Sequence, residues 1–115
     1  MNKAKHLNNA AQITFVDRIF VDVKVHLFLG DDGIHKKCFL FSAVDCKSRT
    51  MIMIKTYSND TQENAIAFLS HIIDDNNFKL TYVVTDHSVV FQCKFHTYCK
   101  QEGIQHETKQ PSLRH

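Results

Sequence analysis

The chain is 115 residues long, 43% hydrophobic and 23% charged, with nine Phe, three Tyr, one Pro and no Trp. That describes one globular domain, large enough to bury a core without a metal or a disulfide and too rich in aromatic and β-branched residues to stay disordered. A formal charge of +2 is too small an excess to argue for nucleic acid, and residues 1–11 lack the apolar stretch of a signal peptide. No apolar run reaches the roughly 18 residues of a membrane span. The expected compartment is the cytoplasm, where Cys38, Cys46, Cys93 and Cys99 stay reduced.

Residues 1–17 show little periodicity and read as a lead-in arm. Over residues 19–27, Ile19, Val21, Val23, Val25 and Leu27 alternate with Phe20, Asp22, Lys24 and His26, the period of a strand with one fully apolar face. Gly30-Asp31-Asp32-Gly33 is a turn. The following Cys38-Phe39-Leu40-Phe41-Ser42-Ala43-Val44 is apolar on both faces, as a central strand would be, and should pair back as a hairpin. Asp45-Cys46-Lys47-Ser48-Arg49 is a second turn, and residues 50–57 form a third strand rich in β-branched side chains.

Asp60, with Glu63 three residues on, can cap a helix whose apolar Ala65, Ile66, Leu69, Ile72 and Ile73 recur at helical spacing as far as Asp74-Asp75. Asn76-Asn77 stops it. Residues 80–85 then read as a strand reached through a helical crossover, so the strand should run parallel to an earlier one. Phe91, Phe95 and Tyr98 mark the core stripe of a second helix that Gly103 ends, and residues 104–108 form a short last strand. The expected fold is α/β, a sheet of mixed strand directions in the order β-β-β-α-β-α-β.

Asp22 interrupts the best strand, where a carboxylate costs free energy unless it is paired, solvated at a cleft or bound to a cation. Asp86 follows Tyr82-Val83-Val84-Thr85 at the carboxyl end of the fourth strand, the place where open α/β sheets gather ligands. On neighbouring strands these two could hold a divalent metal through hard oxygen ligands. The plainer alternative for such an Asp is a turn former or helix cap.

The order of these segments resembles the catalytic core of retroviral-type integrases and D,D,E transposases, a ribonuclease H-like fold, over residues 18–111. Phe20-Val21-Asp22-Val23-Lys24 is similar to the family's first strand with its first catalytic Asp. Residues 39–49 resemble its second strand and the Asp-x-x-(Ser/Thr)-Arg turn after it, and residues 61–69 the helix that follows its third strand. Val83-Val84-Thr85-Asp86 resembles the start of its Thr-Asp-Asn-Gly-x-Glu-Phe motif, and Gly103-Ile104-Gln105-His106 its last strand. The resemblance implies Asp22 and Asp86 as catalytic, metal-binding residues, with Mg²⁺ or Mn²⁺ as cofactor, and DNA integration or transposition by strand transfer at a phosphodiester.

The departures are as informative. His87, Ser88 and Val90 stand where the family has Asn, Gly and Glu. Its third acid, a Glu roughly 35 residues past the second Asp, would fall beyond His115, and Gln110-Pro111-Ser112-Leu113-Arg114-His115 lacks its Pro-x-x-Asn-Gly segment. The expectation is therefore a core at residues 18–111, incomplete at its C-terminus and followed by a tail at 112–115. It should be inactive alone, with weak metal binding and weak, non-specific DNA binding. Its other partners would be a second copy of itself or a full-length transposase, and no membrane. The alternative is a non-catalytic ribonuclease H-like module that binds nucleic acid or a partner.

Asp45 and Glu63 are local substitutes for the missing acid, although turn hydrogen bonds and the helix dipole account for them more simply. Cys93, His96 and Cys99, spaced by three on the second helix with His87 upstream, suggest a zinc site, against the plain reading of Cys as a buried helix residue. Lys94, His96 and Lys100 suggest a DNA-facing surface, against that of a solvated helix face.

Overall fold

A computed structural model describes residues 16–75 and 78–109, apart from the side chain of Phe78. Residues 1–15 of the expected arm and the whole 112–115 tail lie outside the described residues.

The first strand, β1, spans Val16–Leu29 and so takes in residues 16 and 17 of the expected arm, with a register shift in its pairing to β4 between Val16 and Arg18. The Gly30–Gly33 turn, closed by Gly30 N donating to the Ile34 carbonyl at 2.9 Å and carrying Gly33 at φ 79°, returns the chain as β2, His35–Asp45. The two strands pair antiparallel from Ile19↔Asp45 to Leu29↔His35. In the next turn the Asp45 carboxylate accepts from Ser48 Oγ at 2.7 Å and from the amides of Lys47 and Ser48 at 3.3 Å each, which holds its pKa below the usual carboxylate range. β3, Met51–Tyr57, then pairs antiparallel with β2.

Helix α1, Gln62–Ile73, is capped by Thr61, whose Oγ1 accepts from Asn64 N at 3.1 Å. This corrects the expectation of an Asp60 cap. Asp60 lies one residue too early, and the hydroxyl of Thr61 takes the orphan amide at the third helical position. The helix carries the chain across to β4, Phe78–Thr85, which runs parallel to β1. A 3-10 turn at Val89–Phe91 leads into α2, Cys93–Gln101. Gly103 at φ 75° ends α2, with its amide bonded to the Lys100 carbonyl at 3.1 Å and the Ile104 amide to the Cys99 carbonyl at 2.8 Å, the paired bonds of a glycine C-cap. β5, Gln105–Thr108, pairs parallel with β4 and completes a sheet ordered β3-β2-β1-β4-β5.

Both helices lie on one side of this mixed five-stranded sheet. Ile19 and Val21 of β1, Phe41 and Ala43 of β2 and Val83 of β4 meet Ala65, Phe68, Leu69 and Ile72 of α1 and Phe95 and Cys99 of α2. Phe41 sits at the centre, with ring centroids 5.2 Å from Tyr57, 5.7 Å from Phe68 and 6.3 Å from Phe91. The opposite side, with Phe20, Asp22 and Lys24 of β1, has no helix over it among the described residues. Val25 and Leu27, expected on the buried face, are exposed because the β1–β2 ribbon runs on past the end of the helices. No helix among the described residues is long and apolar enough to cross a membrane.

Candidate functional site

Asp22 lies mid-strand in β1, opposite Ser42 of β2, on the face the helices do not cover. Its side chain keeps 25% of its surface open to solvent, and the nearest cation, Lys24 Nζ, stands 3.9 Å away on an exposed side chain. A pair that solvated is weakly coupled. The open face thus leaves part of the side chain in water and lessens the cost that a carboxylate within a strand would otherwise meet.

β1 and β4 are parallel neighbours with Ile19↔Val83 and Phe20↔Val84 in register. Carried two residues on, the same offset sets Asp22 level with Asp86, one position past the end of β4. Phe20 and Val84 share a sheet face, and the period of two keeps Asp22 on that same side. Asp86 ends the strand by a local turn in which Oδ1 accepts from Ser88 N at 2.8 Å. One carboxylate is thus mid-strand in β1 and the other just past the end of the neighbouring β4, and both offer hard oxygen donors, the type that Mg²⁺ and Mn²⁺ take. Among the described residues there is no group of three or more His, Cys, Asp and Glu able to hold a metal ion.

The local substitutes for a third acid are engaged elsewhere. Asp45 serves its turn. Glu63 Oε2 meets Lys94 Nζ at 2.7 Å, and this contact holds the Glu63 carboxyl below its ordinary pKa. Beside it, Gln62 donates through Nε2 to the Val89 carbonyl at 3.2 Å and accepts at Oε1 from Lys94 N at 2.8 Å. These contacts tie the start of α1 to the start of α2, and no sequence signal pointed to them. A cleft of about 680 Å³ opens there between Thr61, Glu63, Ser88 and Lys94, and neither Asp22 nor Asp86 lines it.

The cysteine and histidine cluster does not assemble as the spacing suggested. Cys93 and His96 are exposed, whereas Cys99 is buried in the core, where burial pushes its thiol up to about 12. Six residues along a helix is a turn and two thirds, which moves Cys99 round to the inner side. His87 is exposed in the loop after β4, and its carbonyl accepts from Gln92 Nε2. Lys94 and Lys100 are exposed, Lys94 being paired with Glu63. His96 instead meets His106 of β5, with Nδ1 to Nδ1 at 2.9 Å.

Neither protein-family models nor curated protein sequences match this chain. Solved structures do. A chain of the simian T-cell lymphotropic virus intasome, solved in complex with PP2A regulatory subunit B56 gamma, superposes with a TM-score of 0.65 at 19% identity over 86% of this chain and 34% of that one. The HTLV-2 integrase catalytic core domain, solved in complex with magnesium in a trimeric form, superposes with a TM-score of 0.62 at 20% identity over 84% of this chain and 62% of that one. The fold is that of an integrase-type, ribonuclease H-like core, as the order of segments implied. The chain spans about a third of the first neighbour and just over three fifths of the second.

Proposed function

We propose that this chain is part of an integrase- or transposase-type catalytic core in which Asp22 and Asp86 bind Mg²⁺ or Mn²⁺ for strand transfer at a DNA phosphodiester, and that the 115 residues alone bind the ion weakly and do not turn over. The observation that supports it is the parallel pairing of β1, which carries Asp22, with β4, which Asp86 directly follows. A bound ion would polarise the phosphodiester and lower the pKa of a nucleophilic water or 3′-hydroxyl. Asp22 and Asp86 would orient it. With two carboxylates and no third ligand among the described residues, the ion keeps most of its waters, so affinity should be millimolar. A net charge of +2 gives DNA little to hold, and binding should be weak, sequence-independent and salt-sensitive.

The test is a Mn²⁺ titration together with a nicking and strand-transfer assay on oligonucleotide ends. The expected result is millimolar binding lost in Asp22→Asn and in Asp86→Asn, with no turnover. Micromolar binding, or turnover abolished by Asp22→Asn, would overturn the claim that the chain is inactive alone, and Mn²⁺ binding indifferent to both variants would overturn the site.

A second reading, a non-catalytic module that binds nucleic acid, a full-length transposase or a second copy of itself, is favoured by the open face, where Phe20, Met51 and Ile54 are exposed. It predicts concentration-dependent association in sedimentation that neither Asp22→Asn nor Mn²⁺ alters. A monomer at high concentration that also ignores DNA would remove this reading.

A further inference from the structure

Behind Asp86, on the helix-covered side of the sheet, a buried hydroxyl and two imidazoles stand in line. Thr85 is fully buried, and its Oγ1 lies 2.9 Å from the Asp86 carbonyl oxygen and 2.8 Å from His106 Nε2. His106 Nδ1 lies 2.9 Å from His96 Nδ1. Each distance is a hydrogen bond, and the protons available decide their direction.

A carbonyl oxygen only accepts, so the single hydroxyl proton of Thr85 goes to Asp86. Thr85 Oγ1 must then accept from His106, which places a proton on Nε2 of that ring. His106 is half-buried, and burial together with the neighbouring His96 lowers its pKa to about 4, so near neutrality it carries no second proton. Its Nδ1 is therefore a lone pair that accepts from Nδ1–H of His96. The Phe95 ring packs edge-to-face with the His106 imidazole, with centroids 5.2 Å apart and planes at 77°.

We infer that His96, His106 and Thr85 form a chain of hydrogen bonds with one fixed proton order, ending on the Asp86 carbonyl, and that this chain positions the residue carrying the second candidate ligand. The need for such a device follows from the ladder. Pairing between β4 and β5 stops at Thr85↔Thr108, so Asp86 is the first residue the sheet no longer holds. The chain fixes its carbonyl, while the Ser88 amide fixes its carboxylate. Thr85 and His106 are thus positioning residues. Their importance to metal binding rests on the role proposed for Asp86, whereas the proton order rests on the hydrogen-bond distances together with a neutral His106 ring.

The ring nitrogens of the intact chain can be read by ¹⁵N NMR at pH 8. The expected pattern is Nε2–H on His106 and Nδ1–H on His96, and the reverse assignment on His106 would overturn the proton order. Thr85→Val keeps the shape and removes the hydroxyl, so amide exchange at Ser88 should speed up roughly fivefold and Mn²⁺ affinity should fall by a similar factor, both restored in Thr85→Ser. Unchanged Ser88 exchange in Thr85→Val overturns the positioning role. A wild-type protein that binds no Mn²⁺ yet shows this proton order and this response at Ser88 keeps the chain and refutes the metal site. If Thr85→Val does not fold, His96→Ala removes an exposed side chain, and the His106 Nδ1 resonance should move as its donor is lost. A resonance that stays put overturns the first link.

Discussion

The two faces of the sheet differ in what lies over them. On the helix side, Val21, Phe41 and Val83 are sealed by α1 and α2. On the other side, Phe20 remains 37% exposed and Ile54 50% exposed, although each lies on a strand whose other face is packed into the core. That open side is itself divided. Across β4 and β5 it is polar, with the Arg18 guanidinium 4.1 Å from the centre of the Tyr82 ring and the Tyr82 hydroxyl donating to Glu107 at 2.6 Å. Across β2 and β3 it is apolar, with Leu40, Val44, Met51 and Ile54. Asp22 falls at the junction, on β1. The buried core therefore lies on the covered face, while Asp22 lies on the open one.

The largest expected effect sets one face against the other. Phe41→Ala should cost about 3–5 kcal/mol, because the buried ring leaves a cavity among Tyr57, Phe68 and Phe91 that the packed helices cannot close. Phe20→Ala should cost well under half of that. Urea midpoints of the two variants check it, and equal losses would mean that the open face is covered in solution.

Next comes pH. Burial and His96 depress the His106 pKa from 6.5 to about 4, so the unfolded chain binds the proton more readily than the folded one. Stability from this residue is fully present above pH 6.5 and is lost as pH falls towards 4, by on the order of 1–3 kcal/mol. His106→Gln should flatten that part of a stability profile, and a profile unchanged by the substitution would place the acid sensitivity elsewhere. A smaller effect is expected from Thr61→Ala, about 1 kcal/mol, as the helix loses its cap, whereas Asp60→Ala should leave the thermal midpoint where it is. The smallest change in stability belongs to the open face. Ile54→Ser and Met51→Ser should leave the urea midpoint nearly unmoved while reducing association in sedimentation, and the opposite outcome would reverse the contrast between the faces.

Much of this arrangement is legible in the chain. The alternation around Asp22 and the run Val83-Val84-Thr85 announce their strands, and a helix between strands implies the parallel crossover. Other features are not. Val25 and Leu27 follow the same alternation as Ile19 and Val21 and yet are exposed, because periodicity reports which side a residue faces and not how far a helix reaches along that side. Glu63, a plausible ligand by residue type, is taken by Lys94 from an element about thirty positions away. Cys93 and Cys99 share a spacing and end in opposite environments.

Local chemistry thus determined the elements: period two in β1, helical period in α1, the Asp45 turn and the glycine that ends α2. Each depends on contacts within a few residues, and short-range sterics and hydrogen bonding read those directly from sequence. Tertiary structure alone decided that the strand carrying Asp22 lies beside the one that Asp86 follows, that His96 meets His106, and that one face of the sheet is sealed while the other stays open. Those outcomes join residues far apart in the chain. They are set by which apolar faces bury each other, and the pattern within any one segment carries no record of the partner it will find.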